Sequence, residues 1–232
     1  MFAVACATDP GSHDEPSDFD PVAWSPNGKA DFGGVPATFD RNLVMDDVVF
    51  GTAAVDTHAL QAFLETSPYG TRSWLADAQL DGMRFSDDLY AIAHARNIDP
   101  VVLLARMQVE SSLVSATVRP SNSRINTALG CGCPDSSGCS SAYVGLSGQL
   151  NCAADVLAAK YGESTAGTGA WRKGHTSRTS DPLSVTPRSN ATAALYAYTP
   201  WVLEGRGGNW LVWNVTRKFL KHFDDAGTLH LP

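Results

Sequence analysis

The sequence predicts a mainly α-helical domain with long loops stapled by disulfides. Six segments repeat apolar residues at helical spacing, several of them opened by a capping residue. Runs that alternate apolar and polar residues, as a half-buried strand does, are sparse. Four of the five cysteines fall between residues 131 and 152, in a stretch whose Gly, Pro and Ser content could not hold one shape by packing.

At 232 residues the chain suits one domain plus an extension. A net charge of −7 argues against nucleic acid bound through bulk positive charge and for a neutral or mixed-charge partner. No apolar run approaches the ~20 residues of a transmembrane helix.

Residues 1–45 read as a tether. Met1 to Ala7 lacks a basic n-region and is too short for a complete signal peptide, but the small residues before Cys6 resemble a bacterial lipobox, in which the cysteine is lipidated. An ordinary cysteine in an unstructured terminus fits this loose match slightly better, and membrane attachment is expected only through lipidation of Cys6. Asp-Pro-Gly, Asp-Glu-Pro, Asp-Phe-Asp-Pro and Ser-Pro-Asn-Gly follow, a composition too rich in breakers and acids for a core. Trp24, Phe32 and Phe39 are the residues able to pin it to the domain surface.

The domain is expected to occupy residues 46–232. His58 to Glu65 makes a short helix stopped before Ser67-Pro68, and Ser86-Asp87-Asp88 caps a second through Leu89, Ile92 and Ala95. Asp99-Pro100 reads as an N-cap with proline at the first helical position of a third. Gly145–Tyr161, Ser189–Tyr198 and Gly208–Phe223 make three more.

Glu110 lies inside the apolar third helix. Counted from Asp99 at about 100° per residue, Leu103, Met107, Leu113 and Val114 share its side, so the carboxylate is expected to face the core or a cleft. Burial and the negative helix terminus both favour the protonated acid, whereas Arg106, one turn earlier, opposes them if its guanidinium reaches the carboxylate. A glutamic acid that keeps its proton near neutral pH is the group glycoside cleavage needs. The alternative is a structural carboxyl bonded to a neighbouring hydroxyl or backbone group.

Cys131 and Cys133 are too close in sequence to bridge readily, so each is expected to join Cys139 or Cys152, with Cys133–Cys139 and Cys131–Cys152 preferred. Such bridges imply an oxidising compartment. Zinc is disfavoured, because neither pair has the short gap of a metal knuckle, and the six histidines show no ligand spacing. No metal or other cofactor is expected. Ser111 and Ser112 lack a nucleophile elbow, which argues against a serine hydrolase.

Four blocks resemble a family of secreted, largely cell-wall-directed bacterial proteins with a lysozyme-like domain, related to lytic transglycosylases and N-acetylglucosaminidases. Phe85 to Val114 is similar to the family's helix pair ending in NPxVLLxxLQxExxLV. Ala128-Leu-Gly-Cys-Gly-Cys-Pro-Asp135, with Cys139 following, is similar to its GxGCPD…C segment. Tyr143 to Ala154 resembles its YxGFxxQxxxAA helix start, and Asn190 to Pro200 its NxATxALYxYTP block. Residues 163–187, and the extra Cys131 and Cys152, depart from that pattern.

The resemblance implies a lysozyme-like fold, a cell-envelope or secreted location, a monomer, and cleavage of the β-1,4 bonds of peptidoglycan or a related aminosugar polymer, with Glu110 as acid. In a lytic transglycosylase the substrate's own 6-hydroxyl attacks, and the same glutamate then serves as base. A hydrolase would place a water, for which Asp135 is the nominee, although Pro-Asp-Ser-Ser is also ordinary turn chemistry. Tyr198 is expected beside the scissile sugar, and Gln149, Asn190, Tyr196 and Trp201 at the substrate. Asn190 also suits a helix cap, Tyr196 the core and Gln149 a bond to helix backbone. Trp171, Trp210 and Trp213 join Trp201 as stacking candidates, with core or groove-edge packing the commoner fate of tryptophan. The rivals are a non-catalytic glycan- or cell-surface-binding module that keeps the fold, and a disulfide-stapled inhibitor or structural envelope protein.

Overall fold

The computed structural model describes residues 17–20, 34–51, 54–80, 82–133 and 139–230. Within them α1 (Asp47–Gly51), α2 (Thr57–Glu65), α3 (Phe85–His94), α4 (Pro100–Ser111), α5 (Asn122–Asn126), α6 (Gly145–Thr165), α7 (Asn190–Tyr198) and α8 (Gly208–Asp225) follow in order. Two minimal antiparallel pairs join them. In the first, β1 (Gln79–Leu80) and β2 (Met83–Arg84) set Gln79 opposite Arg84. In the second, β3 (Ser177–Arg178) and β4 (Ser184–Val185) set Ser177 opposite Val185. The chain is thus mainly helical, and both preferred disulfides, Cys131–Cys152 and Cys133–Cys139, are formed.

The capping residues explain where the helices begin. Asp56 accepts from Ala59 N at 2.8 Å, Asp99 from Val101 N at 2.8 Å and Ser189 from Thr192 N at 3.0 Å. The second predicted helix starts at Phe85, two residues before the start that a Ser86 cap implies and without a side-chain cap, and Ser86 instead donates to Gln61 Oε1 at 2.8 Å. The five-residue α1 and α5 and the paired strands have no sequence period, being too short to show one, and tertiary contacts hold them.

Helix α4 lies at the centre, packed on α3, α6 and α8, with α6 and α7 side by side. Every residue from Pro100 to Gln108 is buried. Phe63 of α2 meets Phe219 and Phe223 of α8 at ring distances of 4.9 and 4.7 Å. The stretch read as a tether also supplies core residues. Val35, Val44 and Met45 are wholly buried, Val44 N and Met45 N donate to Thr192 Oγ1 of α7, and the Phe39 ring lies edge-on to Trp213 at 5.5 Å. Residues 34–45 therefore belong to the packed domain rather than to a tether. Cys6, Trp24 and Phe32 lie outside the described residues. No helix among the described residues is long and apolar enough to cross a membrane.

Candidate functional site

Glu110 occupies the last turn of α4, which Ser112 ends in the left-handed conformation at φ 51°. Two cations meet that end. Arg124 of α5 donates to the carbonyls of Ser111 at 2.5 Å and Ser112 at 3.0 Å, satisfying acceptors that a helix terminus leaves open. Arg106, one turn before Glu110, donates from Nη2 to Glu110 Oε1. The opposing guanidinium therefore does reach the carboxylate. Arg106 is wholly buried, while the Glu110 side chain is 29 % exposed. Leu103, Met107, Leu113 and Val114 are fully buried, whereas Glu110 shares with Val109 and Ser112 the partly open end of the helix.

The other side of Arg106 is built by the end of α7. Its Nη2 also donates to Thr199 Oγ1 at 2.7 Å, and its guanidinium carbon lies 4.5 Å from the centroid of the Tyr198 ring. Burial pushes the Tyr198 phenol well above its ordinary range, opposed by the Arg106 charge. Its hydroxyl donates to Leu129 O at 2.8 Å, so Tyr198 is a neutral donor already engaged with the loop beside the glutamate.

That loop, Ala128 to Cys131, forms a fixed wall. Ser111 Oγ donates to Ala128 O at 2.8 Å. Gln149 of α6 accepts from Leu129 N at 3.2 Å and Cys131 N at 3.1 Å, and donates to the carbonyls of Cys131 and Tyr143 at 2.8 Å each. One turn further along α6, Cys152 bonds covalently to Cys131. Between these anchors sits Gly130 at φ +67°, where an added Cβ would stand 3.4 Å from Glu110 Oε2. The glycine both adopts the left-handed conformation and lets backbone approach the carboxylate.

The structure thus brings Glu110, Tyr198 and the Gln149-held loop together. Gln149 is fully buried, with its amide wholly engaged by loop backbone, so its place is behind the wall. Tyr196 is fully buried and stacks on Trp171 at 5.0 Å. Asn190 stands at the opposite end of α7 from Tyr198, about 12 Å along the axis at 1.5 Å per residue, where its Oδ1 accepts from Ser164 Oγ at 2.8 Å. The cap of α7 is Ser189. Trp201 follows Thr199, half-buried, and its carbonyl accepts from Asn209 N at 2.9 Å. Trp210 and Trp213 are buried in α8, and Trp213 Nε1 donates to Pro36 O at 2.9 Å. Asp135 lies outside the described residues, within the loop closed by Cys133–Cys139. No group of three His, Cys, Asp or Glu among the described residues is placed to hold a metal ion.

Sequence reasoning missed Thr199 and Arg124. Thr199 sits inside the Tyr-Thr-Pro block, which was its available signal, whereas nothing local marks Arg124. No family model, characterised protein or solved structure matches this chain.

Proposed function

We propose that the protein cleaves β-1,4 bonds between aminosugars in peptidoglycan, with Glu110 as general acid and then base. The observation that carries this reading is a partly exposed carboxyl in the last turn of a helix buried from Pro100 to Gln108, set against a backbone wall anchored by a disulfide and four Gln149 hydrogen bonds. Protonated Glu110 gives its proton to the glycosidic oxygen as the bond to the anomeric carbon breaks. The nucleophile that then adds to that carbon returns a proton to the carboxylate, being the sugar's own 6-hydroxyl in a lytic transglycosylase or a water in a hydrolase.

Arg106 has a part in this cycle. Breaking the ion pair opposes protonation of Glu110, and Thr199 and the Tyr198 ring, which still hold the guanidinium when Glu110 carries a proton, offset part of that cost. As the proton leaves, the re-formed carboxylate regains the pair, which stabilises charge where it develops. Two disulfides suit an oxidising, extracytoplasmic location.

The ion pair also favours a second reading. A carboxylate held by a buried guanidinium accepts hydrogen bonds from sugar hydroxyls, as a non-catalytic glycan-binding module requires. Glu110→Gln separates the two. Loss of peptidoglycan clearing with retained pull-down on insoluble peptidoglycan supports the enzyme, and binding without clearing by the parent protein supports the module.

A further inference from the structure

Far from the Glu110 carboxyl in sequence, residues 17–20 form a tight turn of their own. Asp20 N donates to Ser17 O at 3.2 Å and Phe19 N to Ser17 Oγ at 3.2 Å, so the four residues present Asp18 and Phe19 outward from the bend. This turn is seated on the domain by polar contacts. The Asp18 carboxylate accepts from Tyr69 Oη at 2.6 Å and Lys218 Nζ at 3.1 Å on one oxygen, and from Gln108 Nε2 at 2.7 Å on the other. Asn214 Nδ2 donates to the carbonyls of Asp18 at 2.8 Å and Asp20 at 2.7 Å, and Lys218 Nζ to that of Ser17 at 2.8 Å. The Phe19 ring stacks on Trp210 at 6.5 Å.

The receiving surface has the form of a built recognition site. Trp210, Asn214 and Lys218 recur every fourth residue and so make one stripe of α8. Tyr69, Gln108, Asn214 and Lys218 are all buried, and between them they contact both carboxylate oxygens and three main-chain carbonyls of the turn. Main-chain contacts fix the bend and the buried cation selects an acid, while the Phe19 ring, 48 % exposed, only flanks the indole.

We propose that this cluster is a peptide-recognition site for an acidic turn, and that its occupant is the chain's own Ser17–Asp20 held in cis. Occupancy has a consequence for the end of α4. Gln108 grips Asp18 with its amide nitrogen and also accepts from Ser115 N at 3.1 Å and donates to Ser115 Oγ at 3.1 Å. Ser115 Oγ in turn donates to Ser112 O at 3.2 Å, closing the turn that follows Glu110. The docked segment therefore straps the terminus of the helix that carries the glutamate, whatever chemistry the glutamate performs.

The test is hydrogen exchange on the full chain, comparing the parent with the Asp18→Asn variant and with the combined Asp18→Ala and Phe19→Ala variant. Losing hydrogen bonds to a charged group is expected to speed exchange of amides in 108–116 and 210–218 by roughly tenfold, with 145–157 unchanged. Unaltered protection in 108–116 in both variants overturns the strap. A double-mutant cycle of Asp18→Asn with Lys218→Gln, read by urea unfolding, is expected to be non-additive, and strict additivity counts against recognition of the acid. A parent protein that stays monomeric as concentration rises supports docking in cis, whereas a dimer that dissociates on Asp18→Ala assigns the site to a second copy and overturns the stated occupant.

Discussion

Replacing Glu110 by alanine removes the carboxylate paired with a guanidinium that has no exposure to solvent. Arg106 then keeps the Thr199 hydroxyl and the face of Tyr198, while its Nε and Nη1 already find no acceptor among the described residues. Removing one partner of a buried ion pair costs about 3–5 kcal/mol, because the survivor remains charged and desolvated. The Glu110 side chain is 29 % exposed, so water can reach the vacated position, and the loss should fall at the lower end, about 3 kcal/mol. Glu110→Gln keeps an oxygen for Arg106 Nη2 and should lose only about 1 kcal/mol, the difference between a charge-assisted and a neutral hydrogen bond. Joining Arg106→Met to Glu110→Leu should restore most of the stability lost in the alanine variant, since apolar replacement of a whole buried pair is often neutral. Urea unfolding followed by far-ultraviolet circular dichroism at pH 7 measures all four proteins. An alanine variant within about 0.5 kcal/mol of the parent, or a glutamine variant as damaged as the alanine one, refutes the claim that the pair anchors this helix end.

Three further outcomes follow from the same geometry. Gln149→Leu strips partners from Leu129 N, Cys131 N and the carbonyls of Cys131 and Tyr143, and should cost about 3 kcal/mol by urea unfolding together with a loss of peptidoglycan clearing. Cys131→Ser with Cys152→Ser reopens a sequence separation of 21 residues and should lower stability by about 3 kcal/mol; opening the 6-residue Cys133–Cys139 separation should cost somewhat less, and a reversed order in thermal unfolding would argue against these loops as the source. Burial pushes the Asp99 carboxyl up to about 7, against its backbone bonds to Ala54 N and Val101 N. The folded state then binds the proton more tightly than the unfolded one, so Asp99 destabilises increasingly as pH rises from about 4 to 7 and no further above that. Asp99→Asn, which can still cap α4, should flatten that slope in stability measured between pH 4 and 8.

The parts of this fold that were legible in sequence are those whose cause is local. Asp99 caps α4 as its Asp-Pro signal predicts, whereas the caps expected at Ser86 and Asn190 are not used, α7 being capped by Ser189 and α3 by no side chain; the apolar period located α2, α4, α6, α7 and α8 to within a few residues. What escaped has non-local causes. α1 and α5 last barely more than a turn, and Val35, Val44 and Met45 look like linker until Thr192 supplies the acceptor for two of their amides. The Glu110 neighbourhood divides in the same way. Arg106 was visible one turn away on the same helix, but Thr199, Arg124 and Gly130 arrive from three other segments, and only the folded chain juxtaposes them. Helical phase placed Glu110 with Leu103 and Met107, yet α4 is enclosed on all sides through Gln108, so what opens Glu110 is its position at the helix end.

The most direct test is mass spectrometry of the fragments released from purified peptidoglycan by the parent protein and by Glu110→Gln. The account predicts disaccharide-peptide fragments from the parent and none from the glutamine variant that still binds the polymer; anhydro ends, one water lighter than hydrolytic ones, assign transglycosylase chemistry and reducing ends assign hydrolysis. Fragments released equally by both proteins, or by neither, would contradict it.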